Sequence, residues 1–491
     1  MRWSELPANY TNRIKPTCDA YGIFSQDRYF GGNELDISGM ITYTVADKWL
    51  DDKDGRLSFV ITKTHLQSQS SGGFRRFVVK GLPLKVRNVD DLEKVRPFVG
   101  LGNKPIVLSL EKGQPTRYPV SYLEWERTTS GTIPDNISLS TAESRLRHTV
   151  LEVNPLSDAG QRWSILPPGR FNMLRMLDGE DPNIVGRKGI VTDMNGAYFI
   201  ELLGPGSIPN TIRFRNTPDR GERPVPSRTD EVELDLVYPL IKGARNIRAF
   251  YATVSQIFVI IPNKRITIRA IPTVTALRQK YPAALQYFRA INAVQTSNGS
   301  NLLDDRSTWK KRMKPQFENA VRQGKMAVTD IPFYAIYDVG DYTFSPYKVV
   351  WAEMAGTVQA AVISQAEVPY GGGYKIVVPD HKVYFAAFDD LDYAHYVCAL
   401  LNSEPVRTFI DSFTIKIQVG TLFRHVKLPS YNSNAPDHAD LIRSSKEAHD
   451  ILAATSETGS IDAQKRTIDE LANQILARTP FLKYNALELP W

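Results

Sequence analysis

The chain has 491 residues, of which 42% are hydrophobic and 10% aromatic, and its formal net charge is +7. This composition can bury sizeable cores and excludes a disordered chain, while the length predicts two or three domains. Two cysteines, Cys18 and Cys398, are too few for a disulfide scaffold or a cysteine zinc site. The sequence has no apolar run typical of a membrane span or a secretory signal, so we expect a cytoplasmic protein without membrane contact.

The positive charge is distributed unevenly along the chain. Basic residues exceed acidic ones in residues 1–430, whereas residues 431–491 carry more acidic than basic side chains. A mildly basic body is compatible with binding to a polyanion such as DNA. Many proteins with this balance bind no nucleic acid, so charge alone does not establish the function.

The first 127 residues have the pattern of helices and strands in alternation. Ile41, Val45 and Trp49 recur at helical spacing, which predicts a helix over residues 40–50. A turn over residues 51–55 is followed by an apolar run that predicts a short buried strand over residues 57–61. Residues 74–79 and 105–110 continue in this style. The succession predicts the later part of an α/β sheet.

From about residue 128 the pattern changes to short strands interrupted by Gly, Pro and Asn. We predict strands over residues 189–192, 197–203 and 257–261, and helices over residues 281–293 and 394–401. Two amphipathic stretches, residues 439–454 and 462–477, predict a helical hairpin at the end of the chain. These patterns predict three domains, comprising residues 1–127, 128–432 and 433–491.

Several segments resemble adenine-specific DNA methyltransferases of the TaqI-like and type IIG family. Residues 36–50, 55–66, 73–77 and 97–103 are similar to the second half of the catalytic domain in that family. Residues 186–190, 195–199, 237–243, 347–351 and 399–403 are similar to its recognition domain. The resemblance implies a partial, Rossmann-like methyltransferase α/β sheet, then a mixed α+β TaqI-like target-recognition domain and the C-terminal helical hairpin.

The loop that such enzymes use for catalysis is missing from this sequence. Adenine methyltransferases of this family carry Asn, Asp or Ser, then Pro-Pro, then an aromatic residue that stacks on the flipped base. The one Pro-Pro pair here, Pro167-Pro168, is flanked by Leu166 and Gly169. Leu166 cannot accept a hydrogen bond and Gly169 cannot stack, so we predict no catalytic residue and no activity for the chain alone.

A second motif match concerns the cofactor. Phe98, Gly100 and Gly102 fit the Phe-x-Gly-x-Gly loop that approaches S-adenosylmethionine, but the sequence that follows predicts a strand and not the required helix. A turn before a sheet strand is the favoured interpretation, and no cofactor-binding residue is assigned. The resemblance implies that S-adenosylmethionine is bound by a catalytic partner subunit that carries both missing loops. Phe98 is a candidate for stacking on the flipped base across that interface, with core packing as the alternative.

Candidate contacts to double-stranded DNA lie between residues 187 and 314. Two of the candidate groups are clusters of basic residues. Such clusters attract phosphates through release of counterions, and arginine can also contact guanine with two hydrogen bonds. A solvated charged surface is the alternative for both clusters, and no close histidine pair suggests a metal site. The candidates are Arg213, Arg215, Arg220, Arg223 and Arg228 in a Pro-rich stretch, Arg306, Lys310, Lys311, Arg312 and Lys314 around Trp309, and Arg187, Lys188 and Asn195 in segments that resemble the family's recognition cleft.

These observations predict a DNA-binding target-recognition subunit. With a catalytic subunit it would form an S-adenosylmethionine-dependent adenine-N6 DNA methyltransferase in a restriction-modification or phage-defence system. Further subunits of such a system are candidate partners. The alternative is a catalytically inactive, methyltransferase-derived module that binds DNA and recruits a nuclease or helicase.

Overall fold

The computed structural model describes residues 6–23, 36–98, 104–131, 133–134, 136–156, 162–219, 221, 223–267, 269–352, 357–413, 422–455 and 458–479. Within them the chain forms α-helices, strands and short 3-10 turns in an order that mixes all three. The α-helices are α1 (Ala8–Ala20), α2 (Ser38–Lys48), α3 (Thr64–Gln67), α4 (Leu139–Glu143), α5 (Arg170–Leu174), α6 (Asn195–Tyr198), α7 (Val274–Lys280), α8 (Pro282–Asn292), α9 (Lys314–Arg322), α10 (Leu391–Asn402), α11 (Glu404–Phe413), α12 (Pro436–Thr455) and α13 (Asp462–Arg478).

Among the described residues, the strands form three main sheets and two separate hairpins. The first third of the chain contributes β1 (Arg56–Thr62), β2 (Val78–Val79), β3 (Leu82–Lys94), β4 (Pro105–Lys112), β5 (Val120–Arg127), β6 (Leu146–Pro155) and β7 (Trp163–Leu166). The remainder contributes β8 (Arg187–Lys188), β9 (Phe199–Pro205), β10 (Thr211–Asn216), β11 (Thr229–Glu233), β12 (Val237–Ile241), β13 (Ile247–Arg248), β14 (Tyr251–Ala252), β15 (Phe258–Ile260), β16 (Tyr347–Ala352), β17 (Ala360–Ile363), β18 (Gln365–Val368), β19 (Gly373–Ile376), β20 (Val378–Pro379) and β21 (Val383–Phe388).

The first sheet has the order β1-β4-β3-β5-β6-β7, with β2 beside β3. Its pairs are antiparallel except for β3 and β5, which run parallel. The expectation of a parallel, Rossmann-like half-sheet is therefore corrected. Parallel neighbours need crossover connections of a dozen or more residues, whereas β2 and β3 are separated only by Lys80 and Gly81, a short turn that favours antiparallel pairing.

Helix α2 confirms the helix predicted over residues 40–50, but its apolar stripe faces outward. Ile41 is 38% exposed and Trp49 is 73% exposed, while Thr42, Tyr43 and Ala46 are buried. Tyr43 determines this orientation in part, because its buried hydroxyl donates a 2.5 Å hydrogen bond to the carbonyl of Phe74. Apolar surface at Ile41 and Trp49 is therefore left uncovered along α2 and at its C-terminal end.

Strand β1 confirms the strand predicted over residues 57–61, but it lies at a sheet edge and is not buried throughout. Its residues alternate between exposed and more buried positions, and Val60 is 49% exposed. Among the described residues β1 pairs with β4 alone. Its second row of backbone groups therefore has no strand partner within the described part of the chain.

The second sheet has the order β11-β10-β9-β15-β12-β20, and α7 and α8 pack against it. The predicted strand over residues 257–261 and the predicted helix over residues 281–293 are confirmed as β15 and α8. The strand predicted over residues 197–203 is also found, but α6 precedes it and β9 begins at Phe199.

The third sheet has the order β17-β16-β21-β8, and its hydrophobic core includes residues of α10, α11, α12 and α13. The predicted helices over residues 394–401, 439–454 and 462–477 are confirmed as α10, α12 and α13. Leu441 of α12 and Ile468 of α13 share a core with Trp351 of β16. The terminal hairpin therefore packs into the body of the protein.

The strand predicted over residues 189–192 is wrong. Ile190 and Val191 make only isolated bridges, to Asp380 and Tyr337. The backbone there runs so close to the Asp380 carbonyl that a Cβ on Gly189 would lie 2.3 Å from its oxygen. Any side chain at this position would force the two segments apart.

The first sheet continues into β6 and β7, beyond residue 127, and it contacts α11. The Ser164 and Ser412 hydroxyls are 2.9 Å apart, and Gln67 donates to the Ser412 carbonyl at 3.2 Å. The proposed domain boundaries stay a prediction.

Among the described residues, no helix combines the length and apolar character needed to cross a bilayer.

Candidate nucleic-acid interface

A cleft of about 1030 Å³ lies where several segments from distant parts of the chain meet. They include the segment that leads into α6 and contains Asp193 and Asn195, the segment that follows β12, and the turn between β20 and β21. The lining also includes Asp219, Arg223, Ser255 and Ser307. The buried side chains of Met194 and Ile257 also line it. Its charged lining consists of Arg223, Lys242, Arg245 and Lys382 together with Asp193, Asp219 and Asp380.

The two basic clusters predicted from the sequence meet beside this cleft. Arg223 Nη1 lies 3.0 Å from Asp305 Oδ2, and Lys310 Nζ lies 3.0 Å from Asp305 Oδ1. The hydrogen bond from Lys310 is the largest of the effects that lower the pKa of the Asp305 carboxyl. Since Arg223 lines the cleft, this shared carboxylate holds the Lys310 segment at the cleft margin.

The segment Trp309–Met313 is a π-helix, a wide turn that often marks functional sites. Trp309 and Met313 are buried in a small core, whereas Lys310, Lys311 and Arg312 are exposed. The turn therefore presents three consecutive cations to solvent.

Asp193 connects the π-helix to the cleft. Its carboxylate accepts a 2.7 Å hydrogen bond from the Thr308 backbone N–H, and it also lines the cleft. Nearby, burial raises the pKa of the Asp338 carboxyl, and the charges of Lys188 and Arg312 oppose that rise. Lys188 and Arg312 are thus close enough to act on the same carboxyl group.

Arg306 is removed from the set of DNA-contact candidates. Its side chain is 0% exposed, and its guanidinium donates to four backbone carbonyls. Its carbon Cζ also lies 5.5 Å from the Tyr198 ring centroid. Arg306 therefore holds the surrounding loops together and does not reach the surface.

The remaining arginines of the Pro-rich stretch do not line the cleft. Arg213 is exposed on β10, while Arg215 pairs with Glu201 at 2.8 Å and Arg228 pairs with Asp230 at 3.0 Å. Exposed pairs of this kind leave the cations accessible to an anion. Arg220 lies outside the described residues.

The other candidates are placed in different surroundings. Asn195 lines the cleft and accepts a 2.7 Å hydrogen bond from the Thr192 hydroxyl. The guanidinium of Arg187 stacks 4.6 Å from the Tyr342 ring centroid, and Lys314 lies 3.9 Å from Asp304. All of these DNA contacts stay predictions.

Phe98 is 48% exposed, so the alternative that it packs in the core is wrong. It is not among the residues that line the cleft. Gly100 and Gly102 lie outside the described residues, and the strand predicted after them is confirmed as β4. The described part of this segment therefore leads into a strand and not into the helix that a cofactor loop requires.

Sequence reasoning did not name several ionisable residues of the cleft as contact candidates: Lys242, Arg245, Lys382, Asp193, Asp219, Asp380 and His381. Lys242 and Arg245 lie outside the two dense basic clusters, and no Lys or Arg lies within five residues of Lys382. A signal was available at Lys242, which belongs to the segment 237–243 that resembles the family's recognition domain. The acidic and histidine side chains gave no signal at all.

Asp380 and His381 form a pair at the wall of the cleft. The Asp380 side chain is 1% exposed, and its Oδ1 lies 2.5 Å from His381 Nδ1. Oδ1 also accepts a 2.6 Å hydrogen bond from the His381 backbone N–H. Among the described residues, no group of three or more His, Cys, Asp or Glu side chains could hold a metal ion.

No family model and no curated protein matches the chain. Among solved structures, similarity is found to the Type IIL restriction-modification enzyme MmeI in complex with DNA, at 8% identity and a TM-score of 0.49, over 95% of this chain and 53% of MmeI. The Type IIG restriction endonuclease BpuSI aligns at 11% identity and a TM-score of 0.29, over 96% of this chain and 52% of its own. The ATP-dependent Type ISP restriction-modification enzyme LlaBIII bound to DNA aligns at 10% identity and a TM-score of 0.38, over 91% of this chain and 29% of the LlaBIII chain. The chain thus spans about half or less of the length of these restriction-modification enzymes.

Proposed function

We propose that this chain binds double-stranded DNA through the cleft and its margin. The observation that carries the proposal is the convergence of Arg223, Lys242, Arg245 and Lys382 on one cleft, with three exposed cations of the π-helix beside it. Cations gathered on one surface bind phosphates with release of counterions, which makes such binding strong and dependent on salt. Three carboxylates also line the cleft, so its surface is not uniformly basic and would bind some groups of the DNA in preference to others.

We further propose that the chain is the target-recognition subunit of an adenine-N6 DNA methyltransferase in a restriction-modification or phage-defence system. The motif resemblance supports this role, and the lack of a usable Pro-Pro loop in the sequence separates recognition from catalysis. A catalytic partner subunit would supply that loop and S-adenosylmethionine, and this chain would choose the DNA sequence.

The partner subunit would bind the first sheet. Ile41, the half-buried Val45 and Trp49 form an apolar stripe along α2 and its C-terminal cap. Strand β1 offers an edge that has no strand partner among the described residues. Proteins usually protect such edges with charges, proline or covering segments. The central residues of β1, from Leu57 to Ile61, carry no charge, which suits an added strand of the partner.

The proposal is tested by purifying the chain with its co-expressed genomic neighbours and sequencing cellular DNA for N6-methyladenine. We expect a stable complex, one methylated sequence motif, and loss of the motif when this chain is deleted. In parallel, binding of the isolated chain to a labelled duplex is measured. A complex that binds DNA but leaves it unmethylated would favour the alternative of an inactive module that recruits an effector, and a chain that binds no duplex would contradict the proposal.

A further inference from the structure

The Asp380–His381 pair has a defined arrangement of donors and acceptors. A carboxylate can only accept, so the 2.5 Å contact between Asp380 Oδ1 and His381 Nδ1 requires a proton on Nδ1. With the proton on Nδ1, the other ring nitrogen, Nε2, carries the lone pair whenever the ring is neutral. The His381 side chain is 30% exposed, and His381 is part of the cleft lining.

The second carboxylate oxygen of Asp380 makes this site unusual. Oδ2 is buried and has no hydrogen-bond partner among the described residues. A buried acceptor without a partner is costly, and an ordered water or a bound molecule that donates a hydrogen bond would satisfy it. The adjoining backbone is fixed, since Asp380 N donates to the Ile241 carbonyl and its own carbonyl accepts from Val383 N, both at 2.8 Å. The pair is therefore held in place and is not a mobile surface feature.

The surrounding charges indicate which part of DNA this pair would meet. Arg245 and Lys382 are exposed, whereas Asp380 is buried and Asp193 is half-buried. A phosphate beside Asp380 would suffer like-charge repulsion, while the exposed cations would attract it. Base edges carry no net charge and present amino groups that an acceptor can bind.

We propose that the Asp380–His381 pair reads a base edge in the cleft, with His381 Nε2 accepting a hydrogen bond from the exocyclic amino group of adenine or cytosine. This inference rests on the proposed DNA binding and adds a specificity-determining residue to it. Asp380 acts as a positioning residue, because it fixes the tautomer and the ring orientation of His381. The exposed cations hold phosphates and carry no sequence information.

The test begins with selection of preferred sequences from a randomised duplex library by the full chain. His381→Ala is expected to lose the preference at one base pair, by about 3- to 10-fold for a single neutral hydrogen bond, while its affinity for a scrambled duplex and its salt dependence stay unchanged. Asp380→Ala should have the same effect, because Nδ1 then loses the acceptor that fixes the tautomer and the ring orientation of His381. His148→Ala is the matched control, since His148 is an exposed histidine on β6 outside the cleft lining.

A base analogue gives the decisive comparison. At the affected position, the amino-bearing base is replaced by an analogue without the amino group. This replacement should weaken binding of the unmodified protein by the same factor as His381→Ala, and it should not weaken the His381→Ala variant further.

Three outcomes would overturn the inference. The first is an unchanged sequence preference in folded His381→Ala, and the second is an analogue effect that persists in that variant. The third is a chain that binds duplexes without any preference, which would leave the proposed DNA binding intact. A chain that binds no duplex at all would instead show that the proposed function itself is wrong.

Discussion

At the scale of single residues, burial separates cations that look alike in the sequence. Arg306 stands in the densest basic segment, yet it is buried beneath Lys310, Lys311 and Arg312, the exposed cations. Lys348 lies on β16 and is also 0% exposed, with its ammonium group 2.8 Å from the Ser345 carbonyl. Residue type and local spacing do not determine burial, because it depends on loops that are distant in the sequence.

The first prediction is that Arg306→Ala lowers the free energy of unfolding by several kcal/mol, about 3 or more. The reason is that four backbone carbonyls, three of them in buried contacts, lose their donor. Chemical denaturation followed by circular dichroism measures this change. Arg213→Ala is the control, since Arg213 is exposed and its loss should change stability by no more than about 0.5 kcal/mol. A stable Arg306→Ala variant with weakened DNA binding would restore Arg306 to the interface.

The second prediction concerns pH and Lys348. Burial lowers the pKa of the Lys348 ammonium from 10.5 to about 7, so between these values the unfolded chain binds a proton that the folded chain does not. Stability should therefore rise with pH across this window, by up to about 1.4 kcal/mol per pH unit from this group. Lys348→Met should be more stable than the unmodified protein at pH 7, and the difference should vanish towards pH 10.5. Urea titrations at pH 7, 8.5 and 10 measure this difference, and a difference that is constant with pH would contradict the assignment.

At the scale of elements, the sequence predicted long periodic helices well and the strands of the cleft poorly. Helices α8, α10, α12 and α13 have apolar residues at helical spacing, which is a local property. The segment 189–192 looked like a strand because it is apolar, but its pairing depends on Asp380, about 190 residues away. Short apolar runs carry no information on such distant partners. The sequence likewise predicted helix α2, but it did not predict that the apolar stripe of this helix faces outward.

The third prediction belongs to the π-helix. Replacing Lys310 and Lys311 by alanine should weaken binding to all duplexes alike, because contacts to phosphates carry no sequence information. The log–log salt slope should fall by about 0.9 for each lost phosphate contact, which titrations at several salt concentrations measure. Arg278→Ala with Lys280→Ala on α7 is the matched control, because it removes the same charge from exposed residues outside the cleft lining. Equal slopes in both double variants would remove the π-helix from the interface, and lost specificity with intact affinity would give it a base-reading role.

At the scale of the whole molecule, the surface proposed to bind DNA and the surface proposed to bind a partner lie in different regions of the chain. The cleft is built from residues between 191 and 382, whereas the uncovered apolar stripe and the open sheet edge lie between residues 41 and 62. Sequence patterns predicted the basic clusters, but only the fold shows that they meet at Asp305 beside residues that no cluster contained. Two separate surfaces are what a recognition subunit needs in order to hold DNA and a catalytic subunit together.

The fourth prediction tests this separation directly. Ile41→Glu and Trp49→Glu place charges in the apolar stripe of α2, and both side chains are already exposed, so the isolated chain should stay folded. Burying such a charge against a partner is costly, so co-purification with the proposed catalytic subunit should be lost or reduced by at least about tenfold. Binding of the isolated chain to duplex DNA should be unchanged. Val328→Glu is the control, because Val328 is an exposed apolar residue outside this region. Hydrogen exchange gives the second readout: residues 36–62 should gain protection when the partner is added, and equal protection in the isolated chain would show that the first sheet needs no partner. A complex that survives both substitutions would place the partner on another surface of the molecule.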